Sequence, residues 1–336
     1  GVLDHAPELA DARTPRDPSE VLRAQQTADH VADVWAEVAR LGAAAPHGPT
    51  VAVVVIDQPS RSEREARTLE ALAGPARIIV GAQLPDDHAG RWILGEAISA
   101  GELAEVRVGR HGDEAMAIKR LHSHAARDPA LRALFTAEAE LTCALPPHPH
   151  VVRGRAHGAD RDRPYLVLER VAGVDLRGHL GVAHPRATVA ALVATAAAGV
   201  AFLHAQGWIH GDVAPANLIV GPAGLVLCDL GCAQRIGADG PVRGTAAYMA
   251  PEQVRGQRWT PAVDVFALGV IAWELAAGAR LFHRGPSYLS MAAVVEAAAP
   301  PLPDAALAPL VAAALAKDPA ARPTAAALAA ALAALD

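Results

Sequence analysis

The sequence predicts an α+β fold in which a small β-rich unit precedes a larger helical unit. Short apolar, β-branched runs separated by turn residues fill positions 91–170, and Ala-rich stretches with helical spacing fill most of 171–336. Before both, helix-like and strand-like stretches alternate within positions 1–90. We therefore predict an accessory α/β segment of unknown role, 1–90, followed by a main domain, 91–336.

The bulk composition is that of a globular protein and argues against several kinds of partner. Of the 336 residues, 52% are hydrophobic, and the formal net charge is −6. This modest acidity favours neither nucleic acid nor an anionic membrane surface as a partner. The three cysteines, Cys143, Cys228 and Cys232, have no metal-ligand spacing, and their odd number suits a reducing cytoplasm.

The most apolar stretch of the chain, 187–203, consists mostly of alanine and is short for a membrane span. Its larger apolar residues recur at helical spacing and form a single stripe, which is typical of a helix packed on a core. The sequence therefore predicts a buried helix here and no membrane span in this chain.

The sequence pattern of the accessory segment predicts four elements in the order helix, strand, helix, strand. Apolar residues in 19–41 have helical spacing, and 51–56 and 76–80 are continuous apolar runs typical of buried strands. Between them, Ser60-Arg61-Ser62-Glu63 has the pattern of a capping box that opens a helix. The segment has no glycine-rich phosphate loop, so its role stays open.

The main domain begins with three predicted strands and continues with a helix and two further strands. In chain order, these elements are predicted at 92–99, 104–109, 114–121, 129–145, 151–156 and 165–169. A strand–turn–strand near 218–228 interrupts the helical remainder.

Lysine is rare in this chain: only Lys119 and Lys317 occur among 30 basic residues. Where arginine is the usual cation, a retained lysine indicates a position that requires an ammonium group. Lys119 ends an apolar strand and would enter a partly buried space, where an anion must offset its desolvation. Glu138 on the following helix is the candidate partner, and Glu140 competes for that role.

A second group of polar residues lies on the loops around 218–228. Asp212 and Asn217 offer a proton-accepting carboxylate and an amide oxygen, and Asp229 ends a short apolar strand. Oxygen ligands of this kind suit Mg²⁺ that is bound together with nucleotide phosphates. Taken in order, the set indicates phosphate chemistry better than ordinary turn residues do.

In this order the residues resemble the eukaryotic-type (Hanks-type) Ser/Thr protein kinases of bacteria. That family has a strand Lys, a helix Glu, a catalytic-loop Asp and Asn, a metal-binding Asp before a nearby Gly, and an Ala-Pro-Glu motif. The chain has, correspondingly, Lys119, Glu138, Asp212, Asn217, Asp229-Leu230-Gly231 and Ala250-Pro251-Glu252. Thr245 in the substrate-side loop, Asp264 beneath the catalytic loop and Arg322, the expected partner of Glu252, extend the resemblance over about 91–336.

The resemblance implies a bilobal kinase fold, with lobes at about 91–170 and 171–336, that transfers the γ-phosphate of ATP to Ser/Thr hydroxyls of protein substrates. Lys119 would hold the α- and β-phosphates, and Glu138 would orient Lys119. Asp212 would accept the hydroxyl proton, while Asn217 and Asp229 would hold Mg²⁺ or Mn²⁺.

The resemblance also implies where the rest of the nucleotide binds. Adenine would meet the backbone near Glu169 and Val171, beneath Val106 and Ala117. The phosphate loop would include Ser99 and Gly101.

Three departures from the family pattern affect this interpretation. The phosphate loop retains one of three glycines, Gly101, with Ser99 and Ala104 in the other places. The usual Arg before the catalytic Asp is Gly211, and the usual Lys two residues after that Asp is Ala214. The missing lysine removes a cation from the transferring phosphate, where such a charge stabilises the transition state.

Two alternative functions remain open at this point. A pseudokinase, which binds nucleotide or acts as a scaffold with little transfer, fits the eroded loop and Ala214. A small-molecule kinase of the aminoglycoside-phosphotransferase type fits His210-Gly211-Asp212, but not the 244–252 segment, Asp264 or Arg322.

The loop between Asp229 and Ala250 carries only two hydroxyl side chains, Thr245 and Tyr248. Since Gly211 also replaces the Arg that would clamp a phosphorylated loop, we expect activity that does not depend on loop phosphorylation.

Overall fold

The computed structural model describes residues 83–84, 92–111, 114–160, 162–238 and 243–335. The helices and strands predicted within 1–80 lie outside these residues. The chain divides into two compact units, and of the described residues, 83–84 and 93–97 belong to the first. The other described residues form the second unit, which contains every candidate site residue.

The strands, in chain order, are β1 Gln83–Leu84, β2 Trp92–Ala100, β3 Ala104–His111, β4 Glu114–Leu121, β5 Gly154–Asp160, β6 Arg163–Glu169, β7 Val174–Asp175, β8 Trp208–Ile209, β9 Leu218–Gly221, β10 Gly224–Leu227 and β11 Gln234–Arg235. The α-helices are α1 Ser123–Ala126, α2 Pro129–Ala144, α3 Arg186–Ala205, α4 Pro251–Val254, α5 Ala262–Ala277, α6 Ser287–Glu296, α7 Leu307–Ala314 and α8 Ala325–Ala333. Short 3₁₀ turns lie at Leu176–His179, Pro215–Asn217 and Pro319–Ala321. This order confirms the predicted α+β class, with sheet first and helices after.

Antiparallel pairing joins β3 to β4, β4 to β6, and β6 to β5. In the β3–β4 register, Val106 lies opposite Lys119. Because successive side chains of a strand point to opposite faces, Ala117 and Lys119 share the face that Val106 also occupies. The alternate residues Met116 and Ile118 are buried on the other face.

One predicted strand starts later than expected. The strand predicted at 151–156 begins at Gly154 and runs to Asp160. Val151 instead forms isolated bridges with His148 and with Leu227, and Val152 N donates to Leu227 O at 2.8 Å. These bonds commit the backbone before Gly154 to β10, so it cannot also extend the antiparallel sheet.

Helix α2 has a well-defined start because Asp128 caps it. The Asp128 carboxylate accepts from Ala130 N at 2.8 Å and from Leu131 N at 3.4 Å, and Pro129 occupies the first helical position. This start fixes which residues face inward. Glu138 is buried on the inner face, whereas Glu140 is exposed.

The second half of the chain is organised around α3 and α5. Among the described residues, α3 is the one helix long and apolar enough to span a membrane. Its residues Val189, Val193, Val200 and Leu203 are fully buried, and α3 packs against α5, α8 and β10. The stripe predicted from the sequence therefore faces the core of this unit.

A glycine allows the close approach of α3 to the chain before β5. A Cβ added to Gly199 would lie 2.4 Å from the backbone oxygen of His150. That is far inside van der Waals contact, and a backbone oxygen cannot rotate away. The packing of α3 thus requires glycine at this position.

Lys317 lies against two aromatic rings of the helical core. Its Nζ is 4.8 Å from the ring centre of Phe282 and 5.7 Å from that of Phe266, and it donates to Val294 O. Because burial is the main cause, the pKa of Lys317 lies below its ordinary value. This lysine serves the core and not the candidate site.

Candidate active site

Lys119 connects three segments of the chain. Its Nζ donates to Glu138 Oε1 at 2.6 Å and to Asp229 Oδ1 at 3.0 Å. The side chains of Lys119 and Glu138 are 14% and 5% exposed, whereas that of Asp229 is 44% exposed. Since Glu140 is exposed on α2, Glu138 is the partner of Lys119.

The charges of this cluster do not cancel. Burial acts to lower the pKa of Lys119, but the Asp229 and Glu138 carboxylates outweigh it and hold this pKa above its ordinary value. Burial, together with Asp229, raises the pKa of Glu138 to about 7. Desolvation also acts to raise the pKa of Asp229, yet Lys119 holds it below its ordinary value. One ammonium shared by two carboxylates leaves room for a further cation.

A glycine leaves space beside the Asp229 carboxylate. Asp229 has a positive φ of 62°, and Gly231 N donates to Asp229 Oδ1 at 3.1 Å. A Cβ on Gly231 would lie 3.0 Å from that oxygen and 3.2 Å from Glu138 Oε2. The Asp-Leu-Gly sequence is therefore sterically matched to the cluster.

Both carboxylate oxygens of Asp212 accept a hydrogen bond. Thr245 N donates to Oδ1 at 2.7 Å, and Asn217 Nδ2 donates to Oδ2 at 2.9 Å. Burial nevertheless outweighs these bonds and raises the pKa of Asp212. Asn217 Nδ2 also donates to Asp212 O at 2.9 Å. Asn217 thus uses its amino group on Asp212, and its amide oxygen remains the atom suited to a metal.

Asp264 at the start of α5 supports this loop from below. Its Oδ2 accepts from His210 N at 2.9 Å and lies 2.8 Å from His204 Nε2, and its Oδ1 accepts from Gly211 N at 2.8 Å. Burial acts to raise the pKa of Asp264, but these partners outweigh it and lower that pKa. The carboxylate fixes the backbone just before Asp212.

The two positions that lack a cation are tightly packed. A Cβ on Gly211 would lie 2.5 Å from the ring of Trp259, which is 1% exposed, and Gly211 has φ of +78°. Ala214 is fully buried within the core. Sequence reasoning missed Trp259, because nothing local links it to a glycine 48 positions earlier.

The phosphate-loop candidates form a tight turn between β2 and β3. Gly101 N donates to Ala104 O at 2.9 Å, and His122 N donates to Leu103 O at 2.8 Å. The His122 ring nitrogen Nε2 lies 3.0 Å from Gly101 O. Ser99 lies at the end of β2 and is exposed. His122, which the sequence did not single out, therefore holds this turn.

The segment expected to meet adenine follows β6. Glu169 N donates to Arg153 O at 2.9 Å, and the Glu169 carboxylate accepts from Arg155 at 3.1 Å. A cavity of about 400 Å³ lies against Glu169–Val171 and is also lined by Val152 and Val226. Val106 and Ala117 do not line this cavity, so it includes only the Glu169–Val171 side of the expected adenine position.

The substrate-side segment is held by two buried polar groups. Arg322 donates to both carboxylate oxygens of Glu252, at 2.6 and 2.9 Å. Tyr248 donates to Glu274 Oε2 at 2.7 Å, and Arg280 donates to the Tyr248 hydroxyl at 3.0 Å. Glu274 and Arg280 were not predicted, because their roles depend on a contact across the fold.

Gln253 is a further residue that sequence reasoning missed. Its Nε2 donates to Gly211 O at 2.9 Å, and its Oε1 accepts from Ala250 N at 2.8 Å. It therefore links the Ala-Pro-Glu segment to the loop that carries Asp212. Its position directly after Glu252 in the Ala-Pro-Glu motif was the one sequence feature that could have indicated this role.

The donor set fits a nucleotide with a divalent cation. The Lys119 ammonium and the Asp229 carboxylate are 3.0 Å apart. Asn217, whose backbone oxygen accepts from Cys228 N at 2.8 Å, offers an amide oxygen on the adjoining loop. Mg²⁺ prefers oxygen ligands, and it needs only one or two protein residues when phosphates complete its coordination. The surplus of carboxylates over ammonium at this place favours a cation as well.

Comparison with known proteins agrees with this geometry. The protein kinase domain model matches residues 92–331, and the chain therefore belongs to the protein kinase family. Among its relatives, it is 35% identical over 226 residues to the serine/threonine-protein kinase PknB of Mycobacterium tuberculosis, covering 62% of this chain and 36% of PknB. The Mycolicibacterium smegmatis PknB is 34% identical over 213 residues, covering 58% and 33%. Mycobacterium tuberculosis PknA is 34% identical over 238 residues, covering 64% and 53%.

The chain spans about a third of the length of the PknB relatives that it matches. These matches support the interpretation of the chain as a Hanks-type Ser/Thr kinase of bacterial type.

Proposed function

We propose that this protein transfers the γ-phosphate of ATP to Ser or Thr hydroxyls of protein substrates. The observation that carries the proposal is the Lys119 cluster, in which one ammonium bonds Glu138 and Asp229 at 2.6 and 3.0 Å. Asp212 completes it, because its carboxylate is held by Asn217 and Thr245 from two sides. The likeness to bacterial Ser/Thr kinases supports the choice of acceptor.

Each residue of the site has a separate task in this proposal. Lys119 binds the α- and β-phosphates, and Glu138 orients it. Asn217 Oδ1 and the Asp229 carboxylate hold Mg²⁺ or Mn²⁺, which neutralises charge on the phosphates when bound. Asp212 accepts the proton of the acceptor hydroxyl, and its raised pKa makes it a better base than an ordinary aspartate.

The remaining contacts position the two substrates. Val106 and Ala117, which share a face of the sheet with Lys119, cover adenine, and the backbone of Glu169 and Val171 meets its edge. The turn that includes Ser99 and Gly101 lies over the phosphates. Thr245, bonded to Asp212, places the acceptor segment of the protein substrate.

We also propose that activity is independent of loop phosphorylation. Tyr248 is 4% exposed and its hydroxyl is bonded to Glu274 and Arg280, so a kinase has no access to it. Gly211 provides no cation for a phosphate on Thr245. Phosphatase treatment should leave the transfer rate unchanged. A loss of activity together with a phosphosite mapped between 232 and 248 would refute this.

The proposed function is tested by binding and transfer together. Millimolar ATP with Mg²⁺ or Mn²⁺ should raise the melting temperature, because a ligand of the folded state stabilises it by mass action. Radiolabelled ATP should then label a generic protein substrate, and phosphoamino-acid analysis should find phosphoserine or phosphothreonine. An unmoved melting curve in a folded sample would rule out the nucleotide site.

A pseudokinase is the second candidate, and the fully buried Ala214 favours it. In that case nucleotide and metal would raise the melting temperature, but transfer would equal that of a variant without the Asp212 carboxylate. The small-molecule alternative is opposed by the Glu252–Arg322 pair, which holds the substrate-side segment, and by Asp264, which fixes the backbone before Asp212. The free cysteines lead us to place the activity in the cytoplasm.

A further inference from the structure

The candidate site is short of positive charge on the side of Asp212. Glu138, Asp212 and Asp229 bring three carboxylates, and Lys119 is bonded to two of them. Gly211 and Ala214 provide no cation, and their packing leaves no space for one. Besides a bound metal ion, a compensating charge would have to come from another segment of the chain.

The backbone at 244–245 lies directly on the catalytic loop. Thr245 N donates to Asp212 Oδ1 at 2.7 Å. A Cβ on Gly244 would lie 3.1 Å from Gly211 O and 3.4 Å from Asp212 Oδ1. Arg243 directly precedes these two residues in the chain.

Arg243 has no partner of its own. Its Nε is buried without a hydrogen bond, and the side chain forms no hydrogen bond or ion pair with any residue that the structure describes. Arg243 is half-buried, whereas the buried Arg322 and Arg120 are paired with Glu252 and Glu105. A buried donor without an acceptor destabilises the folded state, so an anion that bonds the Arg243 Nε would remove this cost.

The Arg243 charge also reaches the interior of the site. Burial, helped by Asp212, Asp229 and Glu138, raises the pKa of the Cys232 thiol to about 11, although Arg243 acts to lower it. One thiol thus lies within electrostatic range of the guanidinium and of all three carboxylates.

We propose that Arg243 binds the γ-phosphate of ATP and supplies the positive charge that positions 211 and 214 lack. This rests on the proposed function. Arginine suits the task, because its planar fork donates to two phosphate oxygens at once and its charge persists at any physiological pH. The γ-phosphate is the anion that must approach Asp212 for transfer. When it binds, one of its oxygens provides an acceptor for the buried Nε of Arg243.

The first test measures nucleotide affinity by calorimetry. Arg243→Met should weaken binding of Mg·ATP about tenfold and leave binding of Mg·ADP within twofold, since ADP lacks the phosphate concerned. Arg243→Lys should recover part of the ATP affinity. Arg255→Met, which removes an exposed arginine just beyond the same segment, is the matched control and should change neither affinity. Equal weakening of ATP and ADP, or no weakening, would overturn the proposal.

The second test measures transfer. Arg243→Met should lower kcat roughly 100-fold, as removal of one donor to a developing charge does. Arg243→Lys should retain a larger share of kcat. If Arg243→Met raised the KM for acidic peptides but not for neutral ones, and changed nothing else, the arginine would bind the protein substrate. The proposal would then be wrong. If the wild type transferred nothing, the proposed function would fail, and the ATP–ADP difference alone would decide on Arg243.

Discussion

Asp212 and Asp229 both bring a carboxylate to the candidate site, but their surroundings indicate different roles. Asp212 is bonded to Asn217 and to the backbone of Thr245, and no cationic side chain contacts its carboxylate among the described residues. Asp229 bonds the ammonium of Lys119 and is the more exposed of the two. We therefore assign proton transfer to Asp212 and cation binding to Asp229.

This difference leads to a prediction for two matched substitutions. Asp212→Asn should lower transfer about 1,000-fold, within the range expected for loss of a positioned base, and leave Mg·ATP affinity within twofold. Asp229→Asn should weaken metal-dependent nucleotide binding as well. Calorimetry and radiolabelled transfer on both variants provide the measurement. Equal residual transfer in the wild type and Asp212→Asn would indicate a contaminating kinase.

At the scale of elements, the helical unit depends on close backbone contacts and on one buried ion pair. Gly199 lets α3 approach the carbonyl of His150, and Arg322 connects the turn before α8 to Glu252 at α4. Arg322 also donates to Ala262 O at the start of α5. These contacts join segments that are distant in sequence, so each can be tested by a single substitution.

Gly199→Ala should destabilise the protein although alanine is the better helix former. The added methyl group would lie 2.4 Å from His150 O, and we expect a loss of about 1–3 kcal/mol from such overpacking. Gly178→Ala is the control, because nothing lies within 4 Å of its added Cβ. Urea unfolding should show the control unchanged or slightly more stable; equal effects of both would contradict the packing argument.

Arg322→Met should destabilise the protein by about 3–5 kcal/mol, because it leaves the Glu252 carboxylate buried without its partner. Arg322→Lys should recover only part, since an ammonium cannot bond both oxygens in the same geometry. The double variant with Glu252→Gln should be less destabilised than the sum of the single variants. Strict additivity in denaturant unfolding would show that the pair is not coupled.

At the scale of the whole molecule, periodicity predicted the order of elements because each strand or helix of the main domain has its own apolar pattern. The late start of β5 was missed because Val151 and Val152 bond β10, a partner that local sequence does not reveal. The site residues that belong to the family motifs could each be identified from the sequence, because each motif is local. Trp259 and Arg243 were not, since their importance depends on what the fold places beside Gly211 and Asp212.

Stability should fall at acid pH partly through Asp264. Its folded-state pKa is lowered, so its contribution is present above the ordinary aspartate pKa and is lost as pH falls through the folded value. Asp264→Asn should therefore lower the free energy of unfolding by about 3 kcal/mol at pH 7 and reduce its decline from pH 5 to pH 3. An unchanged slope in the variant would assign the acid sensitivity to other carboxylates.

The scarcity of lysine has a consequence for chemical labelling. An amine-directed reagent meets only two side-chain targets in the entire chain, and one of them, Lys317, is engaged with Val294 O and two aromatic rings. An acylating nucleotide probe that binds the proposed site should modify the adjacent Lys119, and a single tryptic adduct would report occupancy of the site without any mutagenesis.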